Sequence, residues 1–329
     1  MPVATQLELL DLRQFSARQL RPLLQAEADL WEEKLHWDYR SSTDLLLQYL
    51  DSRILPGFVA IDRGKIAGYT FCVYEGHKAV VGDSFALTSN EEQSLYIADA
   101  LLRKLLDLLL HSPGIARIES QLLLYESGQM DSGFLNAGFV GHPRLFMELD
   151  VERSIRPSLM NTADDGIELI PWSSLYYQAA GELIHAAYRH HVDAEINDQY
   201  CSLHGSLRFL HNIVRFPGCG VFEEHQSWLL REKANGRLAG MLLCSRVAPE
   251  VAHITQLCVS PSQRGRGLGK RLLNHAIENL RESGTDSITL TVTESNHPAV
   301  ALYEEFGFQV RHRFDAMVLS RDSSTWIHG

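Results

Sequence analysis

Residues Gln263 to Arg271 read QRGRGLGKR, placing Arg264, Arg266, Lys270 and Arg271 among Gly265, Gly267 and Gly269 in a chain whose formal net charge is -11. Glycines let a backbone approach a ligand closely, and clustered cations answer an anion. The preceding HITQLCVSP reads as a strand, while Leu268, Leu272, Leu273, Ala276, Ile277 and Leu280 keep the 3.6-residue period of an amphipathic helix. The glycines therefore form a strand-to-helix turn whose free N–H groups sit at a helix N-terminus, a phosphate site by geometry. Arg264, Arg266 and Lys270 can each add a charge-assisted bond of about 1.5–3 kcal/mol. A Walker loop needs Gly at 264 and Ser or Thr at 271, where arginines stand, and a Rossmann fingerprint from Gly265 needs Gly at 270, where Lys stands.

What remains is R-x-x-G-x-G through Arg264, Gly267 and Gly269. Downstream, the strand-like SITLTV leads into TESNHPAVALYEEFGF, which carries N-x-x-A-x-x-L-Y-x-x-x-G-F through Asn296, Ala299, Leu302, Tyr303, Gly307 and Phe308. The two motifs, spanning Ile254 to Val310, resemble the pyrophosphate loop and the pantetheine-side helix of the GCN5-related N-acetyltransferase (GNAT) superfamily. The resemblance implies a mixed sheet that splays between two central strands, with acetyl-CoA inserted like an extra strand. It implies coenzyme contacts from Leu257, Cys258 and Val259, from the turn Arg264, Gly265, Arg266, Gly267, Leu268, Gly269 and Lys270, and from Asn296 and Tyr303. Tyr303 would protonate the departing thiolate. A primary amine attacking the thioester directly must first lose its proton, at a cost of about 4 kcal/mol near neutral pH. His253, Glu250 and Glu294 are the candidate bases.

Both halves of the chain carry the pattern. GKIAGYTFC from Gly64 matches GRLAGMLLC from Gly236, and SFALTSNEE from Ser84 matches QLCVSPSQR from Gln256, both offset by 172 residues. LELLDL and NAGFV in the first half have counterparts in IELIPW and EFGFQ in the second, in the same order. The expected fold class is α/β with an α+β-type mixed sheet, in two tandem GNAT-like domains: 1–153, a linker over 154–166, and 167–329. Where the second half has QRGRGLG the first has EEQSLYI, from Glu91 to Ile97, with two carboxylates and no glycine. One acetyl-CoA site per chain is expected, in the second half.

Composition narrows the rest. The acidic balance argues against nucleic acid and anionic membranes as partners, and both halves carry more Asp and Glu than Lys and Arg, which suggests a cationic acceptor in an acid-walled cleft. The five cysteines form no C-x-x-C pair and read as reduced thiols, and no leader or spanning segment is evident, so a cytoplasmic location is expected. Arg189-His190-His191 with Asp193, Glu195 and Asp198 reads as a polar loop between two helices rather than a metal site, and no metal is expected; the resemblance implies that this loop borders the acceptor. Trp31, His36, Trp37, Asp38 and Tyr39 form an aromatic cluster read as core packing. The expected activity is N-acetyl transfer from acetyl-CoA to a primary amine of a small molecule or peptide, by a monomer or homodimer. The alternatives are a different acyl-CoA or aminoacyl donor, or a non-catalytic acyl-CoA sensor.

Overall fold

Apolar runs such as LAGMLLCSRVA and VAHITQLCV become long, buried strands, and the leucine-rich helices lie on them through one apolar face. The computed structural model describes residues 7–155, 166–215 and 220–321, so most of the expected linker, and Cys219, lie outside the described residues. In the first half the elements are β1 (Leu7–Asp11), α1 (Ala17–Leu35), α2 (Arg40–Asp51), β2 (Gly57–Asp62), β3 (Lys65–Glu75), β4 (Lys78–Ala86), α3 (Glu91–Leu110), β5 (Arg117–Gln121), α4 (Asp131–Asn136) and β6 (Val140–Asp150). The second half repeats the plan with β7 (Ile167–Pro171), α5 (Tyr177–Tyr188), α6 (Val192–Ile196), α7 (Leu203–Arg215), β8 (Val221–Phe222), β9 (Trp228–Glu232), β10 (Leu238–Ala248), β11 (Val251–Val259), α8 (Leu268–Glu282), β12 (Ser287–Thr293), α9 (His297–Glu305) and β13 (Gln309–Ser320). None of the described helices is long and apolar enough to cross a membrane.

The chain forms two compact units, and they do not divide at 153 and 167. The first holds Met1–Leu35, Tyr39–Pro143 and Phe314–Gly329; the second holds His36–Asp38 and Arg144–Arg313. The difference has a structural cause: each half sends its last strand into the other unit. In the first unit β1, β2, β3, β4 and β5 lie side by side, and the edge of β5 is taken by the end of β13, antiparallel, from Ala316 opposite Gln121 to Ser320 opposite Arg117. In the second, β7, β9, β10, β11 and β12 follow one another, and the edge of β12 is taken by β6, from Arg144 opposite Thr293 to Asp150 opposite Ser287. Both sheets are mixed, as expected: β4 with β5 and β11 with β12 are parallel, the other pairs antiparallel.

The helix after the glycine turn buries Leu268, Leu272, Leu273, Ala276, Ile277 and Leu280, the residues its period picks out. They join Ala239, Leu242 and Ile254 of the sheet in one core. In the first unit α3 does the same with Leu101, Leu102, Leu105 and Leu109. The aromatic cluster is packing: Trp31 stacks on Tyr39 at 4.4 Å in the first unit, and Trp37 lies against His253 at 4.9 Å in the second.

Strand exchange makes the halves interdependent, because without the other half's last strand β5 and β12 each present a row of free edge N–H and C=O groups. Residues 1–153 and 167–329 expressed apart should each aggregate, and co-expressed they should purify as a soluble one-to-one complex. Sedimentation and cooperative melting of either half alone as a folded monomer would contradict the exchange.

Candidate active site

The site begins with a fault in pairing. Of the nine residues of β11, only Val251 to Ile254 pair with β12. The register with β10 then slips: Cys244 is opposite Ile254 and Leu243 opposite Gln256, leaving Thr255 as an extra residue. Such a bulge bends its strand and raises its twist. Beyond it β11 leaves β12, and Leu257, Cys258 and Val259 line a cavity of about 660 Å³ instead of a sheet neighbour. The Leu257 carbonyl accepts a bond of 3.0 Å from the Tyr188 hydroxyl at the end of α5. Burial holds that phenol well above its usual pKa, so it remains a donor.

The glycine turn closes one end of the cavity. Gly265 and Gly267 have φ of 76° and 72°, the left-handed region, and a Cβ at either would meet no atom within 4 Å, so the turn presents bare backbone. Gly267 is the N-cap of α8 and makes no side-chain cap bond, so the leading N–H groups of the helix suit a ligand. Gly265, Gly267, Leu268 and Gly269 line the cavity with Arg264 and Lys270. Arg264 is anchored by a 2.8 Å bond to the Ala187 carbonyl, and Lys270 pairs with Glu305. Arg266 lies outside the lining, exposed and bonded to Gln263.

The opposite wall comes from the start of α9. Asn296 precedes it without capping it through its side chain, and lines the cavity with Ala299, Leu302 and Tyr303. Tyr303 is 7% exposed; burial first, then the charges of Asp193 and Cys258, raise its pKa, so its hydroxyl keeps its proton at any ordinary pH. The third wall is the segment after α5, where His190, His191 and Val192 face the cavity. The family resemblance placed that polar run beside an acceptor but singled out neither histidine, since nothing local says which loop side chain turns inward.

Three expectations are corrected. His253 does not line the cavity: it is 4% exposed, packed between Trp37 and Phe146, bonded to Thr289 through Nδ1, and held neutral by burial with a pKa of about 3. His253 belongs to the part of β11 that is still paired with β12, opposite Thr289, and so lies in the closed part of the sheet. Neither Glu294, exposed beside Arg313 at 3.6 Å, nor Glu250, exposed in the turn between β10 and β11, lines it. Nor is this cavity acid-walled, since its described lining contains no Asp or Glu. No group of three or more potential metal ligands occurs among the described residues.

Residues 184–308 match the family of acetyltransferases described as Acetyltransferase (GNAT) family. A stretch of 74 residues is 38% identical to the ribosomal protein bS18-alanine N-acetyltransferase of Escherichia coli strain K12, covering 22% of this chain and 49% of that protein. A stretch of 93 residues is 37% identical to the mycothiol acetyltransferase of Thermomonospora curvata, covering 28% of this chain and 31% of that protein. The chain thus spans about half the length, or less, of these two curated relatives. Over nearly its whole length the fold is like that of a tandem GNAT protein from the clavulanic acid biosynthesis pathway, with a TM-score of 0.58, 16% identity, and 96% and 98% of the two chains covered.

Cys258 is the one thiol among the described residues that lines the cavity, and burial pushes its pKa up to about 12. At pH 8 only about 10⁻⁴ of it is thiolate. Brief exposure to iodoacetamide at that pH should label the exposed Cys201 and leave Cys258 unmodified by peptide mass spectrometry; comparable labelling of the two would mean that the cavity thiol is activated.

Proposed function

We propose, from the premise that the chain carries a domain of the GNAT acetyltransferase family, that its second unit moves an acetyl group from acetyl-CoA directly to a primary amine. The observation that carries this reading is one cavity that joins the splayed end of β11, an uncapped glycine turn and the Tyr303 phenol. Each part fits a different piece of the donor. The N–H groups of the turn, with Arg264 and Lys270, suit a diphosphate. Main-chain groups of Leu257 to Val259, paired with β10 but not with β12, suit on that open side an extended amide chain such as pantetheine, which would dock as a strand does. Asn296 and Tyr303 flank the reacting end.

Direct attack is favoured over an acyl-enzyme. An acyl-cysteine route needs a thiolate, and Cys258 is the wrong thiol, held protonated by burial. When the amine attacks, the C–N bond forms, the C–S bond breaks, and the sulfur gains a full negative charge. A protonated phenol at that point stabilises the departing thiolate by donating to it. The acceptor is an amine of a peptide or small molecule, in keeping with one similar protein named for an alanine of a ribosomal protein and another for mycothiol.

The first unit would not bind the coenzyme. It repeats the bulge, since Val81 is opposite Cys72 and Asp83 opposite Phe71 with Gly82 extra, but the helix that follows is capped by the Asn90 side chain and opens with Glu91 and Glu92. A diphosphate there would meet two carboxylates and a satisfied N-terminus.

Calorimetry with acetyl-CoA should therefore give one site per chain, and Gly267→Glu, which strains a left-handed position and adds a carboxylate to the turn, should abolish it. Two equivalent sites would refute the reading. Tyr303→Phe keeps the ring and removes the donor; turnover should fall about 10²-fold with acetyl-CoA affinity nearly unchanged. Wild-type turnover in that variant, with chemistry rate-limiting, would leave Tyr303 as a packing residue.

A further inference from the structure

We propose that Tyr188 closes the inner end of the donor channel and so restricts the transferred group to acetyl; this rests on the N-acetyltransferase reading and names the residue that sets its acyl preference. The channel has a direction. Its outer end is the glycine turn, which would take the diphosphate, and from there a donor lying along Val259 and Leu257 runs toward Ile254, where β11 is again paired with β12. The Ser260 N–H bonds the Ala239 carbonyl, so by the alternation of an antiparallel pair Cys258 exchanges bonds with Met241 of β10, while Leu257 and Val259 direct theirs to the open side. Leu257 is the inner of these two residues, and its carbonyl is the one the Tyr188 hydroxyl reaches at 3.0 Å. The ring of Tyr188 therefore lies where the acyl end of the donor would arrive.

That ring is held in place. It stacks on Tyr200 with centroids 4.6 Å apart, and Tyr200 is backed in turn by Phe209 at 4.9 Å. Its other neighbour is His191, met edge-on at 5.5 Å. Tyr200 is part of the core that α5, α7, β9 and β10 share, so displacing Tyr188 means repacking that core. On the α9 wall Tyr303 is fixed likewise, 7% exposed and packed on Phe308 at 5.7 Å. Cys258 and Tyr303 lie near enough for their charges to bear on the Tyr188 phenol, and burial keeps all three groups protonated. The inner end is thus walled by two fixed rings and a neutral thiol. An acetyl methyl ends at these walls, and each further methylene must enter space that the rings hold.

Tyr188 also ends α5 and satisfies a strand carbonyl, so a purely structural role is the competing explanation. Such a role predicts that stability and all turnover fall together, and it leaves the ratio between acyl donors unchanged.

The test is thiol release from acetyl-, butyryl- and hexanoyl-CoA, with whichever amine the wild type acetylates fastest among polyamines, aminosugar–cysteine conjugates, amino acids and peptides. An ill-fitting methylene costs about 10-fold to 200-fold, so wild-type kcat/KM should fall about 10²-fold or more from acetyl to butyryl, with hexanoyl at background. Tyr188→Ala should raise butyryl relative to acetyl by about 10-fold or more and admit hexanoyl. Tyr188→Phe keeps the ring and removes the hydroxyl, and it should keep the wild-type preference. Calorimetric binding of free CoA shows which variants keep a folded channel. Use of hexanoyl-CoA by the wild type as readily as acetyl-CoA, or the wild-type ratio in a CoA-binding Tyr188→Ala, would overturn the assignment while leaving the activity standing. The wild-type series needs no variant, so it decides the matter should Tyr188→Ala not fold. Absence of thiol release by the wild type from any of the three donors, with every amine of the panel, would remove the parent reading, and this one with it.

Discussion

The extra residue at Thr255 is the constraint on which the site depends. A parallel pair such as β11 and β12 gains from every ladder bond it makes, and burying strand N–H and C=O groups without partners is costly. The bulge ends the pairing after Ile254, and the freed backbone of Leu257 to Val259 borders a cavity instead of another strand. A ligand able to bond like a strand recovers what the sheet gives up. His253, before the slip, stays in the paired and buried part of the strand, while the residues beyond it reach the cavity.

Duplication kept this backbone and changed its chemistry. The first unit has the parallel pair, the bulge at Gly82 and the long helix, yet it fills the interior differently. Glu27, on α1, is fully buried; it takes a bond from the Tyr69 hydroxyl and interacts with Asp83 of β4. Desolvation, then the neighbouring carboxyl of Asp83, pushes Glu27 well above the usual carboxylate range, and desolvation raises Asp83 as well. The first unit thus buries a carboxyl pair between α1 and β4 and keeps a smaller cavity of about 350 Å³ that Glu91 helps to line, whereas the cavity of the second unit is lined by Arg264, Lys270 and the start of α8.

How legible each part was in the sequence follows from the range of the interactions that make it. Arg264, Gly267, Gly269, Asn296 and Tyr303 were readable because a turn and a short helix are local, and each motif lies within one stretch of chain. Leu257 to Val259 and the mixed sheet came from the family resemblance those motifs carry, while apolar periodicity gave only the α/β pattern of each half. The exchange of β6 and β13 was not readable, because a strand's alternation says which face is apolar and nothing about which sheet edge it joins. His253 was named for its place on the strand leading to the coenzyme site, and whether such a side chain faces a cavity or the core depends on packing against Trp37 and Phe146, which lie far off in sequence. The approach of His190 to Val192 to the cavity was not readable, because the course of the break between α5 and α6 depends on tertiary packing such as that of His191 against Tyr188.

Charge gives the last step. A chain at -11 repels anions at long range, but screening confines that field to roughly a Debye length of about 8 Å at physiological ionic strength. Inside a cavity without carboxylates the local groups decide. Arg264 is already fixed by the Ala187 carbonyl, so an anion arriving at the turn meets a donor that has little conformational freedom left to lose. Lys270 is different: its pairing with the half-exposed Glu305 is a contact that solvent screens, and a diphosphate carries more charge than one carboxylate. The turn therefore combines one preset cation, one that can exchange partners, and backbone donors whose positions the two left-handed glycines set.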